Sequence, residues 1–217
     1  MMRIMFKWMV SMLFWASFNC AADAGYRPEI FKKVEPVYID QFDKDGKVNR
    51  AFWQVKQKTV WVVKDGMLVG SPSSREYQEH VRTEGDGIHT GANPVIILKP
   101  VPEEFVLRMR IKYEGDAKAV KIDIGHHINS FIFTKESTRM KFNKKATAES
   151  AIAFPVNTWG ELTFEFKEGK LLFGVNGEKE VIEKGSISMA DSLQVDIKGI
   201  SQGRVLIDWI ELYRGME

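Results

Sequence analysis

Cysteine is nearly absent from this chain. Its 217 residues include one, Cys20, and a lone thiol closes no disulfide within the chain and builds no cysteine zinc cluster. Histidine is scarce as well: the four residues show no His-x-x-x-His or His-Glu-x-x-His spacing, so the helical zinc-hydrolase signatures are excluded. Net charge is small, with 31 Lys and Arg against 29 Asp and Glu, and no nucleic-acid partner is expected. Gly85-Asp86-Gly87 is followed by neither Lys-Ser/Thr nor a helix pattern, so it is not a phosphate loop. No convincing amphipathic helix pattern is found. The absence of an internal repeat argues against a propeller.

One apolar run is present, Trp8 to Phe18, between the basic start (Arg3, Lys7) and Ala22-Asp23-Ala24. A basic flank, a short apolar core and a small-x-small cleavage site make a secretory signal peptide, too short to span a bilayer. Residues 1–24 are therefore read as the signal and 25–36 as a lead-in linker. A secreted or periplasmic protein follows, with no transmembrane segment in the mature chain. Phe18 and Asn19 stand where a bacterial lipobox requires small residues, so Cys20 is expected to leave with the signal rather than carry a lipid anchor.

Residues 37–215 are written in strands. Trp61-Val62-Val63-Lys64 and Met67-Leu68-Val69-Gly70 flank Asp65-Gly66, whose residues tolerate the positive φ of a tight hairpin. Val175-Asn176-Gly177 repeats that signal. Phe105, Leu107, Met109 and Ile111 alternate with Val106, Arg108, Arg110 and Lys112, the mark of a half-buried strand. Further short strands are predicted at 37–42, 52–55, 95–98, 120–124, 131–134, 139–143, 162–167, 171–175, 193–197 and 205–213. Residues 71–94 lack strand periodicity and read as a long functional loop, with room for a short strand near His80-Val81-Arg82. Many short strands separated by turn signals predict an all-β sandwich or barrel.

Several features carry a family likeness: an Asp40-x-Phe42 strand, the Trp61 hairpin, Trp159 before a long strand, the Asn176-Gly177 turn and a terminal Ile207-Asp208-Trp209-Ile210 strand. The chain resembles the concanavalin A-like jelly-roll superfamily, a two-sheet sandwich. Within it, the chain resembles the secreted bacterial domains described as 3-keto-disaccharide hydrolases. The resemblance implies a carbohydrate partner and either a glycan-binding protein or a divergent glycoside hydrolase. The alternative from a different class is a non-catalytic structural or interaction domain of the cell envelope. The acidic, Gln-containing mid-domain strand of that family has no counterpart here. Its neighbourhood reads Lys121-Ile122-Asp123-Ile124-Gly125-His126-His127.

Acids that could form a catalytic pair are Asp86, Asp123, Glu165 and Asp196, none within a Glu-x-Asp-x-x-Glu pattern. Asp196, flanked by Val195 and Ile197, is expected to face solvent. Trp61, Trp159 and Trp209 are expected in the core, with Trp53 the freest. If the first and last strands pair, Asp40 meets Asp208, and a shared structural Ca²⁺ is one reading beside a hydrogen-bonding role. The most specific expectation is a basic sheet face made of Arg108, Arg110, Lys121, Asp123, Arg139 and Lys141, with His126 or His127 at its end. Such a face would bind an anionic glycan if all three strands belong to one meander. The competing reading is a solvated charged face that opposes aggregation.

Overall fold

The computed structural model describes residues 26–115, 118–125, 127–143, 146–183, 193–200 and 203–217. The signal segment, Cys20 and His126 lie outside the described residues. In chain order the elements begin with β1 (Lys33–Asp40), β2 (Gly46–Lys47), β3 (Trp53–Val55), β4 (Val60–Lys64), β5 (Met67–Ser71), α1 (Arg75–Thr83), β6 (Val95–Leu98) and β7 (Phe105–Gly115). They continue with β8 (Ala119–Ile124), β9 (Asn129–Phe133), β10 (Thr138–Phe142), β11 (Ala146–Ser150) and β12 (Gly160–Lys167). The last are β13 (Lys170–Val175), β14 (Glu178–Ile182), β15 (Val195–Ile200) and β16 (Gly203–Met216).

Two antiparallel sheets form the sandwich. The first runs β14-β13-β12-β7-β16-β5-β4-β2, with β1 also paired to β16. The second runs β11-β10-β9-β8-β15-β6-β3. The alternation read from β7 is realised: Phe105, Leu107, Met109, Ile111 and Tyr113 enter the core, where they join Ile122, Phe131, Phe133 and Ile197 from the other sheet. Phe131 packs against Phe164 and Phe173 across the sandwich, with ring centroids 5.3 and 5.6 Å apart.

The hairpins follow their turn residues. Asp65 and Gly66 both take positive φ, as do Asn176 and Gly177, and each pair closes a two-residue loop. The Trp61 ring lies flat over its hairpin partner Gly70, and a Cβ there would sit 2.5 Å from the indole. Gly70→Ala is therefore expected to cost about 1–3 kcal/mol through overpacking, read as a lower urea midpoint with an unchanged denaturant slope.

Several sequence expectations are corrected. Residues 71–94 contain a helix, α1, rather than a strand near His80. Its two buried residues, Gln78 and Val81, are too few to write an apolar stripe. The lead-in is part of the fold: β1 starts at Lys33, and the segment before it docks on Glu165. Trp53 is buried, its Nε1 donating to Tyr38 Oη at 2.9 Å. Trp61 is in the core as expected. Trp209 is turned outward because a β-bulge at Asp208 shifts the register of β16 against β7. Two consecutive residues then face out, and Trp209 covers the Arg108 guanidinium at 5.2 Å. Trp159 is also half-buried rather than core, 5.1 Å from the Arg110 guanidinium.

Candidate functional site

The expected single basic face is divided between the two sheets. β7 pairs with β12 and β16, whereas β8 pairs with β9 and β15. Alternation tells inward from outward, but it does not tell which sheet a strand joins. On the first sheet each expected ligand contact is already taken by the protein. Arg108 Nη1 bonds Glu211 Oε2 at 2.7 Å, and Arg110 Nη1 bonds Asp208 Oδ2 at 2.6 Å. Arg108 and Arg110 are thus parts of a self-neutralised face.

Asp40 and Asp208 have protein partners as well. The first and last strands do pair, with Asp40 opposite Ile210. However, Asp40 accepts from Tyr38 Oη at 2.5 Å and from the Phe42 backbone N–H at 2.8 Å, and Asp208 is held by Arg110. Burial and the Asp40 hydrogen bond push the Tyr38 phenol up, so it remains a donor. A cation shared by the two acids would have to break both arrangements.

The second sheet carries the remaining candidates on its outer surface, and β-sheet register arranges them in two rows. Asp196 on β15 stands opposite Asp123 on β8, and Lys198 stands opposite Lys121. The rows continue onto β9 and β10, with Asp123 opposite Ser130, Ser130 opposite Lys141, Lys121 opposite Ile132, and Ile132 opposite Arg139. Two carboxylates facing each other across adjacent strands repel. Lys198 resolves the conflict: its Nζ lies 2.6 Å from Asp123 Oδ2 and 3.3 Å from Asp196 Oδ2.

Asp123 has no accessible surface and its carboxylate is saturated. Oδ1 accepts from Ser130 Oγ at 2.5 Å and lies 3.1 Å from Lys121 Nζ. Oδ2 receives Lys198 and lies 2.9 Å from His127 Nδ1. Burial pushes this carboxyl up, but the charge and hydrogen bond of Lys198, the Ser130 hydroxyl and Lys121 outweigh burial and hold it below the usual carboxylate range. Asp196, expected to face solvent, is also buried and accepts from Gln194 Nε2 at 2.7 Å. Asp123, His127 and Asp196 bring one ligand atom each within 4.8 Å of one another, yet the Lys198 ammonium already stands between the two carboxylates.

Over these rows lies a cleft of about 670 Å³, lined by Lys121, His127 and Lys198 from the sheet and its turn and by Gln57, Tyr77 and His89 from segments outside the strands. A second depression of about 240 Å³ continues it along the sheet, lined by Arg139, Lys141 and again Lys121. Ser74 caps α1, its Oγ accepting from the Tyr77 N–H at 3.2 Å, and the helix presents Tyr77 to the cleft. Ser73 ties the following loop to the helix start: its Oγ donates to Thr90 O at 2.9 Å, and its N–H donates to Gly91 O at 2.8 Å. Gly91 has φ +68°, and a Cβ there would lie 2.2 Å from Gln57 O, so this crossing admits only glycine.

Lys198, Tyr77 and Gln57 were not among the sequence candidates. Lys198 shares its parity with Asp196 on β15, which is the signal that reveals it. Tyr77 follows Ser73-Ser74-Arg75-Glu76, a cap residue and a first-turn acid. Of the two other acids considered, Asp86 is exposed in the loop, and Glu165 is fully buried on the opposite sheet beneath the lead-in.

This sandwich is a concanavalin A-like jelly roll. No protein-family model matches the chain, and no curated protein matches it either. Solved structures do match in fold. The endo-β-1,3(4)-glucanase SCLam, of glycoside hydrolase family 16, superposes with a TM-score of 0.58 over 88% of this chain and 95% of its own, at 11% identity. A structure from work on endo-acting O-glycanases of the human gut microbiota, which initiate mucin breakdown, gives 0.57 over 84% of this chain and 100% of its own, at 12% identity. The β-glucanase of Bacillus licheniformis gives 0.57 over 82% and 98%, at 8% identity. At such identities the likeness is one of fold.

Proposed function

We propose that this is a secreted glycan-binding β-sandwich whose ligand is acidic, bound along the cleft on the outer surface of the second sheet. The observation that carries the reading is the contrast between the two sheets. The arginines of β7 are ion-paired in place, whereas among the described residues no carboxylate pairs with Lys56, Arg139 or Lys141, which line the cleft and its continuation. Lys121 and Lys198 are anchored side by side on Asp123 between them. Arg139 and Lys141, two residues apart on β10 and outside any ion pair, suit a carboxylated or sulfated sugar chain. The family-16 glycoside hydrolases that share the fold act on glycans, which agrees with a carbohydrate partner.

The Asp123–Asp196 pair suits binding better than hydrolysis. A glycosidase acid must be protonated at working pH and its partner carboxylate free to attack or to activate water. Asp123 is held ionised by the Lys198 and Lys121 ammonium groups and the Ser130 hydroxyl that meet its carboxylate. A structural role without a ligand has no use for a cleft lined by cations, and this sheet carries one.

Affinity for acidic oligosaccharides should exceed that for neutral ones and fall as salt is raised. Arg139→Ala combined with Lys141→Ala should weaken binding by about tenfold or more, since two charge-assisted contacts are lost. Arg110→Ala should leave affinity unchanged. Isothermal titration with oligogalacturonate and with laminari-oligosaccharides checks this. Equal affinity for the two classes, or an undiminished double variant, rules the site out.

A further inference from the structure

One side of the sandwich is open. The second sheet ends at β3, and the first ends at β2, which covers β4 only at Val62 and Val63. Residues of both edges line a separate cleft of about 620 Å³. Val55 and Val62 give it apolar surface, and Lys47, Arg50 and Lys99 give it charge. All three cations are exposed, and no carboxylate lines the cleft. Among the described residues, none of the three enters an ion pair.

The backbone of β3 adds a second component. Phe52 O accepts the Lys99 N–H at 2.9 Å, and the Lys56 N–H donates to Val95 O at 3.3 Å. Between them Gln54 stands opposite Ile97. Antiparallel hydrogen bonding alternates, so residues 52, 54 and 56 turn their backbone groups to β6, while Trp53 and Val55 turn theirs to the open edge. The Trp53 N–H is taken there by Asn49 O at 2.9 Å. The Trp53 carbonyl and both backbone groups of Val55 face the edge with no strand beside them.

We propose that this open side takes up an acidic, extended peptide segment of a partner protein as a strand added to β3. An unpaired edge offers a ladder to an extended chain, and pockets and charges beside it select the sequence. The peptide residue opposite Val55 exchanges both backbone bonds with it, and the residue opposite Trp53 donates to its carbonyl. Acidic side chains of the segment meet the three cations, and aliphatic ones meet the two valines. An acidic sugar would satisfy the cations but carries no repeat of N–H and C=O to match the strand. The site is independent of the glycan-binding cleft, whose Arg139 and Lys141 lie on β10, near the opposite edge of the second sheet.

The test uses the full mature chain and a short capped peptide of alternating glutamate and valine, followed by fluorescence anisotropy. The glutamate peptide should bind saturably, and its affinity should fall as salt is raised. The same peptide with lysine in place of glutamate should not bind. Lys47→Ala combined with Lys99→Ala should weaken binding by about tenfold or more and leave the melting temperature unchanged, because both side chains are exposed. Arg139→Ala combined with Lys141→Ala should leave peptide affinity as in the parent. Only every second residue of an added strand faces β3. Of two N-methylated peptides, one modified on the valines and one on the glutamates, one should therefore lose binding and the other keep it. Binding kept by both N-methylated forms overturns strand addition. No binding of the glutamate peptide, or equal binding of the lysine peptide, overturns the site. Displacement of the peptide by oligogalacturonate that persists in the Arg139→Ala, Lys141→Ala variant assigns this cleft to an acidic sugar and overturns the peptide partner.

Discussion

Glu165→Ala should be among the most destabilising single substitutions in this protein, costing about 3–5 kcal/mol in urea unfolding. The side chain is fully buried on β12, and it organises the start of the domain. Its Oε1 accepts the Tyr26 hydroxyl, its two oxygens share the Glu29 N–H at 3.0 Å, and Oε2 accepts the Ile30 N–H at 2.9 Å. Burial first, and the Glu165 hydrogen bond next, push the Tyr26 phenol far up, so it stays a donor at any physiological pH. The Tyr26 ring is also covered by the Arg108 guanidinium at 4.4 Å, and Glu29 pairs with Lys179 at 2.7 Å. Removing the carboxylate leaves backbone donors and a phenol without an acceptor, and the lead-in should detach. Limited proteolysis should then cut within residues 26–32 first. Tyr26→Phe, which deletes one donor and keeps the ring, should cost only about 1 kcal/mol. A Glu165→Ala variant with an unchanged urea midpoint would show that the docked lead-in contributes nothing to stability.

Lys198→Met should cost a comparable amount, about 3–5 kcal/mol, because it strips the shared ammonium from two buried carboxylates that face each other. It should also reverse the pH response. In the parent, the folded-state pKa of Asp123 is depressed, so its contribution to stability is complete above the unfolded value of 3.8 and is lost as pH falls through the folded value. In Lys198→Met the facing acids should share a proton, which raises the first apparent pKa of the pair above the unfolded value. The variant should then gain stability as pH is lowered from neutral toward 5, over a range where the parent is flat. Urea midpoints at several pH values check the sign. A variant that tracks the parent at every pH would mean that Lys198 does not hold the pair.

The basic face shows how alternation misleads. Arg108, Lys121 and Arg139 all oppose apolar neighbours, and all three do point away from the core. The inference from shared parity to a shared face failed at Gly115, where the chain leaves the first sheet. Sequence-adjacent strands usually pair, but jelly-roll crossovers break that rule repeatedly. The two tryptophans expected in the core failed differently. Trp209 is on a strand as expected, but the single extra residue at Asp208 turns it outward. Helix α1 escaped notice because it buries only two side chains, and polar residues write no period.

The amino-acid sequence by itself determined the strand content, the two-residue turns at Asp65-Gly66 and Asn176-Gly177, and the inward set of β7. It also determined the all-β class, a sandwich or a barrel. These are local properties, set by side-chain parity and by which residues tolerate positive φ. Only the tertiary structure decided which outward residues share a surface. Pairing between strands distant in sequence put Lys198 between Asp123 and Asp196 and gave Arg108 and Arg110 their own acids, and the chain between β5 and β6 brought Tyr77 and His89 to the same cleft. Those placements follow from which sheet each strand joins, and that choice is made by packing the two apolar faces into one core, which no short stretch of sequence encodes.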